Sequence, residues 1–353
     1  MRAAVIGLGA TGARVARQLQ SWPSIERLKL HDTSPLRVQE ATASLGEGSS
    51  GSGTVDEALE GCDVVVLCFP GDPVPTARRA LRAGSHVVSL STTREAAAGL
   101  LDLGEMAASA RRHVVVGAGF SPGLSELVVA HVAGRFERLE AIDLAVTGSG
   151  GMACRRERVG RTFGGGPAQN GGGTEGGTSL AATSLAAMSL KATLRSLVPD
   201  PAAVLRWFPE PLGQLRCEGA SGAEELLLAD FGQGSPSVAL HRHLPAGEVV
   251  LALLPASLSS RKPEMDLGGF AAEVRGTTAR GSEVVLAGAV DRPAVAAGTV
   301  AAVAAGWAVD GRLGGPWSGG VGMKVQRPEV FLSELAVRGV KIAEFLPGST
   351  TDG

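Results

Sequence analysis

The stretch RAAVIGLGATGARVARQL, residues 2–19, joins a short apolar run to a glycine cluster and then to a helical pattern. The run Ala3–Ile6 is typical of a strand that is buried on both faces. Gly7, Gly9 and Gly12 follow it in the spacing GxGxxG. Because this motif binds nucleotides only between a strand and a helix, its position here predicts a dinucleotide-binding loop.

Each glycine of this loop has a separate predicted role. Gly7 permits the tight turn, Gly9 lets the backbone approach a pyrophosphate, and Gly12 lets helix and strand pack closely. Ala10 and Thr11 open the helix, whose free N–H groups and positive end would face the phosphates. A tight turn without a ligand is the alternative interpretation.

An acidic residue follows at the distance that the motif requires. The run RLKLHD predicts a second strand that ends at Asp32, about 20 residues past the last glycine. A carboxylate there accepts hydrogen bonds from the adenosine ribose and repels a 2′-phosphate, so we expect NAD(P) with NAD preferred over NADP. Thr33 lies beside it. Ser34 and Arg37 leave the preference open, because a nearby arginine accepts the 2′-phosphate in some of these sites.

Strand and helix patterns continue to alternate along the next 90 residues. CDVVVLCFP, SHVVSLST and HVVVGAG are typical of strands, and helical patterns separate them. This order predicts a parallel, doubly wound (Rossmann) sheet, in which ligands bind at the carboxyl ends of the strands. That rim would contain Cys68, Phe69, Pro70, Ser91, Thr92, Gly119 and Phe120.

A second glycine cluster lies in VVVGAGFSPGLSELVVAHV, residues 114–132. Pro122 stands where the third glycine would fall, and Asp143 lies inside the next strand pattern rather than at its end. A second nucleotide site is therefore not expected. Ser121 and Pro122 suit the cap and first turn of a helix. The loop is either a structural crossover or a contact to the nicotinamide or the substrate.

Composition limits the classes of partner. The net charge is only −2, the sequence has no basic stripe that would suggest nucleic acid, and its apolar runs end well short of a membrane span. No signal peptide is seen, and none of the four cysteines forms a CxxC pair. We therefore expect a cytoplasmic protein with reduced thiols, without bound metal and with neither a nucleic acid nor a membrane as partner.

The middle of the chain offers weaker candidates for catalysis. Arg155 and Arg156 lie in a glycine-dense segment and are typical of a carboxylate clamp or of a solvated basic loop. His241 and His243 are two residues apart on a strand pattern, where one of them is a candidate acid or base. A half-exposed histidine without a role is the alternative, and no third ligand accompanies them.

Several motifs together resemble one family. GLGATG, CFPGDPV, AGSHVVSLST and GAGFSPGLSELV, with the tail PEVFLSELAVRGVKI, are similar to the saccharopine dehydrogenase-like NAD(P) oxidoreductases. That family includes saccharopine reductases, lysine dehydrogenases and carboxynorspermidine dehydrogenases. The resemblance covers about the first 130 and the last 85 residues, and it implies a homodimer.

These observations predict an α/β protein with three parts. A Rossmann domain would span 1–122, a substrate and dimerisation α+β domain 123–310 with a glycine-rich loop at 147–179, and a segment 311–353 would return to the first domain. With the resemblance, they imply hydride transfer between nicotinamide and a C–N centre of an amino acid or imine. A nicotinamide-binding sensor without turnover and an oxidoreductase of alcohols remain open.

Overall fold

The computed structural model describes residues 1–148, 151, 154–157, 159, 202–229, 231, 235–245 and 267–345. Within these residues the chain forms two seven-stranded sheets. Of the predicted glycine-rich loop 147–179, only 147, 148, 151, 154–157 and 159 are described.

The first sheet is entirely parallel, as the alternating pattern predicts. Its strands are β1 Arg2–Ile6, β2 Arg27–His31, β3 Ser49–Gly51, β4 Val64–Leu67, β5 His86–Ser89, β6 Val114–Val116 and β13 Ser318–Gly320. Their order is β13-β6-β5-β4-β1-β2-β3. The chain therefore runs outward on both sides of β1, and the switch point of the sheet lies between β1 and β4. All seven strands end at one edge, where ligands bind in such sheets.

Helices cover this sheet and begin where the sequence supplies helix starts. They are α1 Ala10–Gln20, α2 Pro35–Leu45, α3 Val55–Leu59, α4 Val74–Arg82, α5 Arg94–Leu101, α6 Gly104–Ala110 and α7 Leu124–Ala133. The chain between Arg94 and Ala110 forms two helices, since it turns at Asp102 and Leu103. Thr93 caps α5 by accepting a hydrogen bond from Ala96.

The second sheet is mixed. Its strands are β7 Arg138–Thr147, β8 Val204–Phe208, β9 Gly213–Ala220, β10 Ser237–His243, β11 Gly268–Thr278, β12 Gly281–Asp291 and β14 Ala343–Phe345. The order is β14-β12-β11-β7-β10-β9-β8. β11 and β12 form an antiparallel hairpin, whereas β10 lies parallel to β7. The helix α8 Ala223–Leu228 lies between β9 and β10 in the chain.

One helix made almost entirely of small residues joins the two halves of the core. α9, Pro293–Val309, has 15 buried residues among its 17. It packs on α1 so closely that a Cβ at Gly298 would lie 2.6 Å from the Cβ of Arg14. The same apolar core includes side chains from both sheets, such as Val5 and Phe270. α9 therefore supports α1, the helix that follows the glycine loop.

The end of the chain contacts both sheets. After α9 come α10 Val321–Lys324 and α11 Pro328–Val337. β13 pairs with β6, and β14 pairs with β12. Arg338 donates a 3.3 Å hydrogen bond to Gln18 and lies over the Trp22 ring, so the segment after α11 packs on the first domain. No helix in the described part of the chain is both long enough and apolar enough to cross a membrane.

Candidate functional site

The glycine loop has the close packing that its motif predicts. Gly7 adopts φ +93°, and a Cβ there would lie 2.7 Å from the carbonyl oxygen of Cys68. A Cβ at Gly12 would lie 1.8 Å from the carbonyl oxygen of Gly7. Both distances are far below ordinary contact, so only glycine fits at either position. The loop is thereby held against the ends of β1 and β4.

Gly9 differs from Gly7 and Gly12 because the position of its missing side chain is open. An added Cβ at Gly9 would meet no atom within 4 Å, apart from its chain neighbours. Gly9 is also the N-cap of the 11-residue helix α1, and no side chain caps that helix. The first N–H groups of α1 and its positive end therefore face an open position. This is the arrangement that binds phosphate.

Asp32, at the end of β2, is fixed by the backbone around it. Its Oδ2 accepts a 2.7 Å hydrogen bond from the N–H of Leu8, and its Oδ1 accepts one of 2.8 Å from Ser34. Arg37 Nη1 lies 3.7 Å from Oδ1. The Asp32 side chain is 7% exposed. Asp32 is thus oriented toward the glycine loop, whereas its neighbour Thr33 is exposed.

A cavity lies on the same side of the switch point as Asp32. Its volume is about 690 Å³, and it lies between α2 and the end of β3. Its lining includes Asp32, Pro35, Val38, Thr42, Gly51 and Ser52. A mainly apolar cavity with one carboxylate at its border suits a flat ring attached to a polar sugar.

The other predicted rim residues lie on the opposite side of the switch point. Cys68 and Phe69 follow β4 and are partly buried, and Pro70 beyond them is exposed. Ser91 and Thr92 follow β5 and are partly buried. Because strands lie about 4.8 Å apart, the distance from β2 to β5 spans roughly 14 Å of the edge. An elongated ligand that crosses the glycine loop would reach from one group to the other.

Two predicted contacts are less accessible than the sequence suggested. The Phe120 side chain packs against Phe270 of the second sheet, with ring centroids 5.4 Å apart. Gly119 is buried, so it faces a ligand only through its backbone.

Burial, and secondarily Cys154, raises the pKa of the Cys68 thiol above its ordinary range. Cys68 is therefore a neutral group in this wall.

The predicted cap of α7 is wrong. The N-cap is Gly123, and the helix begins at Leu124 rather than at Pro122. Ser121 does not cap the helix because its hydroxyl donates to Glu224, on α8. The carboxylate of Glu126 instead accepts the N–H of Gly123. The sequence contained one signal for this, since Glu126 is a lone acid inside an otherwise apolar helical run.

The two arginine candidates lie in a segment beside the glycine loop. A Cβ at Gly151 would lie 3.2 Å from the Cβ of Ala10, so the segment packs against the start of α1. The backbone N–H of Arg155 donates to the carbonyl of Gly151 at 2.9 Å. Arg155 is 1% exposed, whereas Arg156 is exposed. Arg155 is the candidate that the fold brings near the loop.

The two histidine candidates lie on the outer face of the second sheet. His241 Nε2 is 3.2 Å from Asp143 Oδ1, and His243 Nδ1 is 2.7 Å from the carbonyl oxygen of Arg216. Because side chains alternate along a strand, Arg242 between them points to the opposite face. There it pairs with Glu224, beside the end of the first sheet. The structure therefore brings Arg242 to the rim, and it does not bring the histidines there.

In the described ranges, no three His, Cys, Asp or Glu residues are grouped as a metal site would need.

Known structures with a similar fold include a dehydrogenase from yeast. No family model matches the chain, and no curated protein matches it. Among solved structures, apo saccharopine dehydrogenase (L-Glu forming) from Saccharomyces cerevisiae aligns with a TM-score of 0.60 at 12% identity, covering 98% of this chain and 100% of the yeast chain. The resemblance stated from the motifs is thus confirmed at the level of the fold.

Two more distant structures also align. GenD2 from gentamicin A biosynthesis, in complex with NAD, has a TM-score of 0.48 at 17% identity over 98% of this chain and 97% of that chain. Biliverdin reductase from Synechocystis sp. PCC 6803, in complex with biliverdin and NADP+, has a TM-score of 0.42 at 15% identity over 96% of each chain.

Proposed function

We propose that this protein is a nicotinamide-dependent oxidoreductase. The open position at Gly9, in front of the uncapped N-terminus of α1, carries the proposal. A tight turn without a ligand would not need a glycine there, because the Gly9 backbone, at φ −66°, is open to any residue. An approaching pyrophosphate gives that glycine a reason.

The residues present fit the cofactor. Gly7 to Gly12 would hold the pyrophosphate, Asp32 the adenosine ribose, and the cavity between α2 and β3 the adenine. Ser91 and Thr92 would border the nicotinamide. When bound, the cofactor supplies or accepts a hydride, and the protein aligns the reacting carbon and excludes water.

We further propose that NAD is preferred over NADP. Asp32 carries a negative charge where a 2′-phosphate would be placed, and two backbone N–H groups hold it there. Arg37 is the only competing cation within 4 Å of Asp32 among the described residues, at 3.7 Å. Because Arg37 is paired with Asp32, much of its charge is already compensated.

For the substrate, we propose a C–N centre of an amino acid or imine. The yeast structure of the same fold is a saccharopine dehydrogenase described as L-Glu forming, and this supports an amino-acid substrate. The buried Arg155 beside the glycine loop supports a substrate that carries a carboxylate, since arginine binds that group through two parallel hydrogen bonds.

The cofactor proposal is tested by fluorescence titration, which measures the affinity of the purified protein for NADH and for NADPH. Gly9→Ala should lower NADH affinity roughly tenfold or more, about 1.4 kcal/mol, because the new methyl group occupies the phosphate position. Gly315→Ala is the matched control, since a Cβ there also meets no atom within 4 Å but lies far from the loop in sequence. Equal NADH affinity in both variants would contradict the proposal.

The substrate proposal is tested separately. Amino acids and other amines, with NAD+, and imines, with NADH, are screened for the absorbance change of the nicotinamide. Turnover of amines or imines supports the C–N centre, and turnover of alcohols alone would overturn it. Tight NADH binding without turnover of either class would favour a sensor.

A further inference from the structure

A buried pair of carboxylates lies where the first sheet meets the second. Glu126, on α7, is 1% exposed, and Glu224, on α8, is fully buried. One cation accompanies them: Arg242 Nη2 donates to both oxygens of Glu224, at 2.9 and 3.1 Å. Among the described residues, Glu224 is therefore paired with an arginine, whereas Glu126 has no ion-pair partner.

Two serine hydroxyls connect the acids. Ser121 Oγ donates to Glu224 Oε1 at 3.0 Å, and Ser125 Oγ lies 3.0 Å from Ser121 Oγ. Ser125 Oγ also lies 3.1 Å from Glu126 Oε2. The four side chains thus form one continuous line of hydrogen bonds from Glu126 to Glu224.

The direction of this line follows from the number of protons. Ser125 has one hydroxyl proton, so it cannot donate to Ser121 and to Glu126 at once. When Ser125 donates to Ser121, the contact between Ser125 and Glu126 is satisfied only if Glu126 is a carboxylic acid. All hydroxyls then point toward the Glu224 carboxylate, which Arg242 neutralises.

The surroundings of Glu126 favour that protonated form. Burial, followed by the charge of Glu224, raises the pKa of Glu126 to about 8. Its Oε1 has no hydrogen-bond partner among the described residues. The N–H of Gly123 donates to Oε2 and opposes the rise only in part.

Other charged groups near this cluster are directed elsewhere. On α8, Glu225 lies 3.6 Å from Arg94. On α10, which contacts α7 at Gly322, Lys324 is exposed. On α11, Glu334 pairs with Arg312 and Arg338, and Glu329 with Arg327. α9 has no ionisable side chain, and β11 and β12 present apolar residues such as Phe270 and Val285 to the core. His131 lies toward the other end of α7.

The line lies at the rim where the cofactor's reactive end is proposed. Ser121 follows Phe120 after β6 and is the one partly exposed member of the line, since Ser125, Glu126 and Glu224 are buried. The N–H of Ala223, the first residue of α8, donates to the carbonyl oxygen of Thr92 after β5 at 3.2 Å. Ser121 and Glu224 are therefore placed at the carboxyl edge of the parallel sheet.

We propose that Glu126, Ser125, Ser121 and Glu224 form a proton-carrying chain that holds the proton accompanying hydride transfer at this edge. The inference rests on the proposed function. In the reducing direction, the Ser121 hydroxyl turns from Glu224 to the substrate, gives its proton to the substrate nitrogen or oxygen and takes the proton of Ser125. Ser125 takes the proton of Glu126, which becomes a carboxylate. Solvent then returns one proton to Glu126 through the partly exposed Ser121 and through Ser125, and substrate oxidation reverses each transfer.

A purely structural ion-pair cluster is the competing explanation, and proton counting distinguishes the two. The proton released when NAD+ binds is measured near pH 7 with an indicator dye in weak buffer. Because the nicotinamide ring of NAD+ is positively charged, its approach should expel roughly one proton from the chain, whereas NADH, whose dihydronicotinamide ring is uncharged, should expel none.

Glu126→Gln keeps an acceptor for the Gly123 N–H but carries no titratable proton. This variant should abolish proton release and should remove the infrared band of a protonated carboxyl group. Ser125→Ala should keep the band but suppress release, because the line is interrupted. Glu225→Gln is the control, since Glu225 lies on the same helix as Glu224 but outside the line, and it should behave as the wild type.

Each failure has its own signature. Proton release that is unchanged in Glu126→Gln, or a wild-type protein without the Glu126-dependent band, would overturn the chain while leaving the cofactor proposal intact. Absence of NAD+ binding would overturn the proposed function and the transfer role together, and the infrared band would still report whether Glu126 holds a proton.

Discussion

The backbone N–H of Leu8 lies 2.7 Å from Oδ2 of Asp32 and donates to it, so the glycine loop and the acid at the end of β2 are held as one unit. The second oxygen of Asp32 accepts the N–H of Ser34, the N-cap of α2. The carboxylate therefore fixes the start of two successive elements. Its charge is presented at a defined point, where the ribose of a dinucleotide would lie.

Asp32→Asn should change the choice of cofactor. The substitution removes the negative charge but keeps one acceptor oxygen for the backbone. Hydrogen bonds to charged groups contribute about 1.5–3 kcal/mol, so we expect NADH affinity to fall roughly tenfold while NADPH affinity stays equal or rises. Fluorescence titration with both cofactors measures the ratio.

Arg37→Ala tests the opposite partner of the same ion pair. Arg37 is the group that would accept a 2′-phosphate, so its loss should weaken NADPH binding and leave NADH binding within about twofold, or about 0.4 kcal/mol. A wild-type protein that binds NADPH more tightly than NADH would show that Arg37 outweighs Asp32 and would reverse the proposed preference.

The sequence was sufficient for the loop and Asp32 because their constraints are local. A strand, three spaced glycines, a helix and an acid at a set distance leave one arrangement, and Gly7 and Gly12 have the close contacts which that arrangement requires. The short strand β3 was missed because its residues, Ser49–Gly51, have low strand propensity.

The polar cluster at the other end of the rim was not predictable in the same way. Glu126, Glu224 and Arg242 are far apart in the chain, and only the packing of α8 against the first sheet brings them together. The spacing of His241 and His243 places both on one face of β10, but strand alternation alone does not say which face meets the neighbouring domain.

Two stacked histidines should make the fold sensitive to acid. The rings of His86 and His113 are 5.1 Å apart at the start of β5 and β6. Burial, together with the neighbouring His113 and Arg112, lowers the pKa of His86 to about 4, and burial and Arg112 lower that of His113 to about 4. The folded state therefore resists protonation that the unfolded state accepts near pH 6.5.

The sign of the effect follows from these lowered pKa values. The stability that the pair contributes is complete above pH 6.5 and is lost as the pH falls toward 4, by at most about 1.4 kcal/mol per histidine for each pH unit. Glu126 has the opposite sign, because its raised pKa gives stability that is lost as the pH rises through about 8. Urea unfolding between pH 4 and 8 measures the sum.

His113→Phe should flatten the acid side of this profile. The new ring keeps the stacking position, and Nδ1 of His113 has no partner in the described structure, so little is lost at pH 7. His86→Phe should also flatten the profile, but at a cost at pH 7, because His86 Nδ1 accepts the backbone N–H of His113. An unchanged slope in both variants would show that other groups govern acid unfolding.

The contact between α9 and Trp22, which follows α1, should tolerate no added methyl group at Gly306. A Cβ there would lie 2.1 Å from Cε2 of Trp22. The ring has little freedom to move, since its Nε1 donates to Asp310 at 3.1 Å and Arg338 covers its face. Gly306→Ala should therefore lower the free energy of unfolding by about 1–3 kcal/mol, even though alanine favours helices. Urea unfolding at pH 7 measures the loss.

A second substitution identifies the cause. Trp22→Phe shortens the side chain and removes Cζ2, which a Cβ at Gly306 would approach to 2.2 Å, so the double variant should be less destabilised than the sum of the two single variants. Gly315→Ala, which meets no neighbour, should change stability by less than about 0.5 kcal/mol. Additive effects of Gly306→Ala and Trp22→Phe would mean that the two helices separate rather than clash. NADH affinity of the folded Gly306→Ala protein would then fall as well, because α1 carries the phosphate-binding end.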